Sequence, residues 1–118
     1  MPGEYGFPKE YRLHKKKEFE DVFRKGKRIS GEGMVCYWFS DEQMGNKLGI
    51  VVSRKVGRSV KRNQIKRYIR EFYRLNRLHF RERGALIVVA RTGLSEWSHQ
   101  QIDAELASLL KTGGILNG

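Results

Sequence analysis

The residues in this sequence best equipped for chemistry are cations. Residues 54–83 carry 12 Lys and Arg against two acidic residues, Glu71 and Glu82. Residues 9–28 carry nine basic and four acidic residues, and the remaining segments are net negative, although the whole chain is +11. Guanidinium groups stay ionised and grip phosphate oxygens in pairs. A field this concentrated is the footprint of a protein that binds nucleic acid. Arg62, Lys66, Arg70 and Arg74 recur every fourth residue. On a helix such like charges repel, and an ordinary solvated face mixes signs to avoid this. Asn63 both donates and accepts hydrogen bonds, so it can read a base edge or a 2′-hydroxyl, or pin the helix start.

Other chemistries find little support. Asp21, Asp41, Glu71 and Asp103 form no evident carboxylate pair, and a nuclease acting alone usually clusters carboxylates around metal. Glu71 stands four residues after Arg67 and three before Arg74, which suits a helix ion pair. His14, His79 and His99 lack zinc-ligand spacing. Cys36, the sole cysteine, sits in an apolar run and reads as a small buried hydrophobe. One cysteine and no membrane-length apolar stretch fit a soluble protein of the reducing cytoplasm. Gly31-Glu32-Gly33 is too short for a phosphate loop. Gly57 permits a turn before a helix whose N-terminus favours phosphate.

The elements that must position these residues follow from periodicity. The length of 118 residues suits one domain, 1–118, with residues 1–8 as a loose leader and 113–118 as a loose tail. Phe19, Val22 and Phe23 give residues 15–25 one apolar helical face, closed by Gly26. Residues 34–39 read as a strand, with Met34, Cys36 and Trp38 on one face and Val35, Tyr37 and Phe39 on the other. Residues 48–53 read as a second strand, joined to the first as a hairpin through a polar loop. Residues 59–78 form the longest helix. Arg62, Lys66, Arg77, Arg70, Asn63, Arg74 and Arg67 fall within roughly 140° of one side, and Leu75, Tyr68, His79, Phe72, Ile65 and Ile69 within about 120° of the other. Residues 86–90 read as a buried strand. A last helix takes Ser95 as its N-cap, with another polar start nearby at Ser98, carries Ile102, Leu106, Leu109 and Leu110 as its stripe, and ends at Gly113-Gly114. The order α, β, β, α, β, α predicts an α+β single-domain sandwich, with helices packed on a small mixed sheet.

Within this frame one combination is specific. A strand ending Gly49-Ile50-Val51-Val52-Ser53 leads through Lys55-Val56-Gly57 into Lys61-Arg62-Asn63-x-x-Lys66-Arg67-x-x-Arg70-Glu71. This resembles the bacterial ribonuclease P protein family. Phe7-Pro8-Lys9-Glu10-Tyr11-Arg12-Leu13, Glu18-Phe19 through Val22-Phe23-x-x-Gly26, and Leu86-Ile87-Val88-Val89-Ala90-Arg91 extend the likeness over about residues 7–112. The resemblance implies a fold like the second domain of ribosomal protein S5, with a left-handed βαβ crossover against the usual hand. It implies that a catalytic RNA subunit holds the Mg2+ ions and cleaves the 5′ leader from precursor transfer RNA. The protein assists this as a non-catalytic subunit and requires no protein partner. By position, Lys55, Arg58, Lys61, Arg62, Asn63, Lys66, Arg67 and Arg70 would contact the RNA subunit. Phe19, Phe23 and Tyr37 would line the leader cleft, with Lys15, Lys16 and Lys17 beside leader phosphates. Aromatic platforms with positive charge suit single-stranded RNA, while core packing is the plain alternative for all three rings. Met34 stands where the family often has an aromatic, which leaves it no evident stacking role. Two rivals remain: a general or ribosomal RNA-binding protein, and a protein-only nuclease. The spacing of Arg62-Asn63-x-x-Lys66-Arg67 argues against the first, and the missing acidic cluster against the second.

Overall fold

The computed structural model describes residues 11–117. The expected leader, residues 1–8, lies outside the described residues, as do Phe7 to Glu10 of the N-terminal family stretch and the final Gly118. The elements run α1 (Lys16–Lys25), β1 (Lys27–Ser30), β2 (Met34–Ser40), β3 (Lys47–Val51), α2 (Ser59–Asn76), β4 (Gly84–Ala90) and α3 (His99–Thr112). The four strands form one mixed sheet in the order β1-β2-β4-β3.

That order corrects the expected hairpin. β2 and β3 do not pair. β4 lies between them, antiparallel to β2 and parallel to β3. The reason is burial. Ala85, Leu86, Ile87 and Val88 are all essentially inaccessible, so β4 is apolar on both faces and takes the centre. β3, α2 and β4 thus make a parallel βαβ unit. β1 has no counterpart among the expected elements. Its only apolar residue is Ile29, and it forms because it pairs antiparallel with β2 from Lys27↔Trp38 to Ser30↔Val35.

Alternation divides the side chains as expected. Met34, Cys36 and Trp38 of β2 join Leu48, Leu86, Val88 and Ala90 under α2 and α3. Tyr37 and Phe39 join Ala85 and Ile87 under α1. Burial pushes the Cys36 thiol up to about 12, with the charge of Glu105 adding to the effect, so it behaves as packing rather than as a nucleophile.

α3 starts at Ser98, not Ser95. Ser98 Oγ accepts from Gln101 N at 3.1 Å, while Ser98 N donates to Gln101 Oε1 at 2.8 Å. This reciprocal box needs Gln three residues after the cap, and Ser95 is followed there by Ser98 itself. The expected loose tail is packed through Asn117. Ile115 and Leu116 are buried in the α3 side of the core, Arg81 N donates to Ile115 O and Asn117 N to His79 O. Two aliphatics after the Gly113-Gly114 turn are enough to fold this segment back.

Candidate RNA interface

α2 presents the basic edge. Its buried residues are Ile65, Ile69, Phe72 and Tyr73. Tyr73 falls only about 20° from Arg62 on the helical wheel, so the packed arc is turned by roughly 50° from the one expected. Leu75 and His79 are exposed, contrary to their expected place on the packing face. The turn changes how the cations stand. Arg62, Lys66 and Arg70 flank the core and are half-buried, whereas Lys61, Asn63, Arg67 and Arg74 face solvent. Arg62 Nε donates to Gly57 O at 3.1 Å, which ties the guanidinium back to the preceding loop. Arg58 is the N-cap residue, and Lys55 sits exposed on a short helical turn anchored by buried Val56. Arg74 pairs with Glu71 at 2.8 Å, and this hydrogen bond holds the Glu71 carboxyl below its ordinary range. The expected ion pair therefore forms with Arg74.

Asn63, Lys66, Arg67 and Arg70 line one open groove of about 730 Å³ together with Arg12, Val60 and Gln64. Lys55, Arg58 and Lys61 stand at the helix start and do not line it.

α1 builds the second region. Phe19 and Phe23 lie with centroids 6.4 Å apart, and Phe23 meets Tyr37 edge-on at 4.8 Å. Phe23 is 41% exposed, and Phe19 and Tyr37 are half-buried, so the three rings form a row open to solvent rather than a sealed core. Gly49 seats the row. A Cβ there would lie 2.8 Å from the Phe19 ring, so only glycine lets the ring rest on β3. Lys47 Nζ, 3.3 Å from Glu18 Oε2, ties α1 to the same strand. Lys15, Lys16 and Lys17 are exposed at the start of α1. Cations at a helix N-terminus oppose the macrodipole, by about 0.3–1 kcal/mol each. Folding does not ask for them there; an anion would.

The two regions are continuous. A cavity of about 180 Å³ is lined by Phe19, Leu13 and Gly49 together with Lys66, Arg70 and Arg12. An aromatic row thus runs into a cationic groove. Among the described residues no three His, Cys, Asp or Glu side chains are grouped to hold a metal ion, and no helix is long and apolar enough to cross a membrane.

A family model for ribonuclease P matches residues 7–113. The chain belongs to the ribonuclease P protein family. It is 42% identical over 110 residues to the ribonuclease P protein component of Clostridium botulinum strain 657, covering 92% of this chain and 99% of that one. It is 39% identical to that of Geotalea uraniireducens, covering 92% and 95%. The ribonuclease P protein of Staphylococcus aureus has the same fold, with a TM-score of 0.84 at 32% identity, over 91% of this chain and 98% of that one. The Thermotoga maritima ribonuclease P protein, solved with 1-(4-fluorophenyl)-2-thiourea, gives 0.77 at 32% identity, over 85% and 97%.

Within this ribonuclease P family fold, sequence reasoning missed two cations. Arg12 reaches the groove because Arg12 bridges to Leu48 and Leu13 N donates to Leu48 O, placing the segment before α1 along the edge of β3. No periodicity announces that pairing. Arg28 donates from Nε to the Tyr37 hydroxyl at 3.3 Å. Its signal lies only in β1, which the sequence hid.

Proposed function

We infer that this chain is the protein subunit of ribonuclease P, an endoribonuclease whose active site lies in its RNA. The α2 edge, with Lys55, Arg58, Lys61, Arg62, Asn63, Lys66, Arg67 and Arg70, docks on the RNA subunit. The cleft row of Phe19, Phe23 and Tyr37, with Lys15, Lys16 and Lys17, holds the 5′ leader of precursor transfer RNA. The observation that carries this reading is the cavity joining Phe19 to Lys66 and Arg70. One strand lying on the rings and one RNA surface against the helix can then be held side by side. Aromatic faces stack on unpaired bases, and cations neutralise the phosphates between them.

On this reading the protein contributes binding and not bond cleavage. Holding the leader favours precursor over mature product. Neutralising phosphate charge lowers the concentration of Mg2+ needed, with the catalytic ions held mainly by the RNA. The place of work is the cytoplasm, and the complex needs no second protein. Precursor cleavage at low Mg2+ tests this with RNA alone, protein alone and the mixture. The expected result is rapid cleavage only in the mixture. Cleavage by RNA-free protein, lost on mutating a carboxylate, would overturn it, as would tight RNA binding without any stimulation.

A further inference from the structure

The aromatic row does not end at Tyr37. Arg28 continues it, since its Nε donates to the Tyr37 hydroxyl at 3.3 Å. Its two Nη groups make no hydrogen bond to the described residues, so the guanidinium keeps donors for an anion. Arg24 and Lys25, four and three residues before it, lie in the last turn of α1. All three are exposed.

Gly26 brings these cations together. A Cβ at Gly26 would lie 2.4 Å from Val22 O and 3.0 Å from Trp38 O. α1 ends at Lys25 and β1 begins at Lys27, so only Gly26 separates them and Arg24, Lys25 and Arg28 all fall at this corner. Lys27 alternates to the other face of the sheet, where its Nζ donates to Gly113 O at 2.9 Å. It is spoken for by the fold. Arg24 is partly neutralised by Asp21 at 3.1 Å. Arg24 and Lys25 suit the helix C-terminus, and a basic edge strand discourages strand addition. Neither consideration calls for Arg28 to bond the cleft tyrosine.

We propose that the α1–β1 corner of Arg28, Lys25 and Arg24 is a second leader subsite, taking the phosphates of single-stranded RNA upstream of the nucleotides stacked in the cleft. The proposal rests on the cleft being the leader site. Arg28 has two tasks there: it fixes the tilt of Tyr37 through Nε and presents its remaining donors to phosphate.

The test uses the reconstituted protein–RNA complex and labelled transfer RNA with no leader, a short leader that only fills the cleft, and a long leader. Anisotropy titrations compare wild type with Arg28→Ala, with R24A/K25A and with Arg28→Lys. Expected is a three- to tenfold loss for the long leader and less than twofold for the short one in R24A/K25A, whereas Arg28→Ala, which also frees Tyr37, should lose on both leaders and more on the long one. The salt slope for the long leader should fall by about 0.7 for each phosphate no longer neutralised. Arg28→Lys should keep the slope while losing part of the affinity. Equal losses on short and long leaders in R24A/K25A, or losses on leaderless RNA in any variant, would overturn the corner subsite while leaving the cleft reading intact. A wild type that binds precursor and leaderless RNA equally would instead remove the cleft reading on which the proposal stands. Thermal melts equal to wild type confirm that the variants fold.

Discussion

The two faces of the sheet are made by the same strands, yet they are finished differently. Under α2 and α3 lie Met34, Cys36, Leu86 and Val88, sealed by Ile65, Ile69, Ile102, Leu106 and Leu110. Under α1 lie Ala85, Ile87 and Tyr37, roofed by one ten-residue helix that leaves Phe23 exposed. The first face commits its apolar surface to stability. The second keeps Phe23 and the α1 lysines at the surface, with Phe19 and Tyr37 half-buried beneath them. Two helices close one side, and one short helix makes a cleft of the other.

The largest expected effect sharpens this contrast on the sealed side. Leu106→Ala removes a fully buried side chain and should cost about 2–5 kcal/mol, read from urea unfolding. Ile115→Ala, in the folded-back tail, should cost about 2 kcal/mol by the same measurement; an unchanged midpoint would show that the tail adds nothing to the core. On α2, Arg62→Ala and Lys66→Ala should each lower affinity for the RNA subunit by about tenfold, or 1.4 kcal/mol, and reduce its salt slope by about 1. Unchanged slopes would remove those residues from the interface. Phe23→Ala should cost under about 1 kcal/mol of stability because the ring is already part-exposed, while weakening precursor more than mature transfer RNA. Destabilisation matching Leu106→Ala would break the comparison between the faces.

The smallest effect is in pH. Burial raises the Asp103 carboxyl, whose Oδ1 is buried without a hydrogen bond among the described residues, although His99 at 3.3 Å opposes the shift. A raised carboxyl contributes stability that is complete below the ordinary Asp value of about 3.9 and is lost as pH rises through the folded value. Asp103→Asn should therefore gain on wild type between pH 3 and neutrality, by less than about 1 kcal/mol because the side chain is partly exposed. Parallel stability curves for the two proteins would show that Asp103 titrates normally.

Much of this was legible because local patterns and tertiary demands agreed. The spacing of Ile102, Leu106 and Leu110 gives α3, and the alternation of residues 34–39 gives the two faces of β2. What escaped depended on partners distant in the chain. β2 and β3 look like a hairpin locally, but the wholly apolar β4 competes for the same edges and wins. Lys27 to Ser30 has no strand pattern of its own. On α2 the spacing picks out the cations, but Tyr73 carries a polar tip and so gives no core signal, although its ring packs edge-on against Phe80. The motif pointed to the groove-lining residues of α2, whereas Arg12 and Arg28 depend on strand pairings that no motif contains.

The central position of β4 also sets a timetable for synthesis. As the chain leaves the ribosome, β2 can pair only with β1, and β3 has only the short segment at Arg12 beside it. α2 follows, a helix of mutually repelling cations with half of its packing surface still missing. Only when residue 90 is free can the middle strand slide between the waiting two and close the sheet. Nascent chains stopped short of that point should hold at most the β1–β2 pair and not the four-stranded sheet, and the basic helix would meet the RNA-crowded cell before its scaffold exists. The chain's last third thus decides when its most highly charged segment becomes a defined surface.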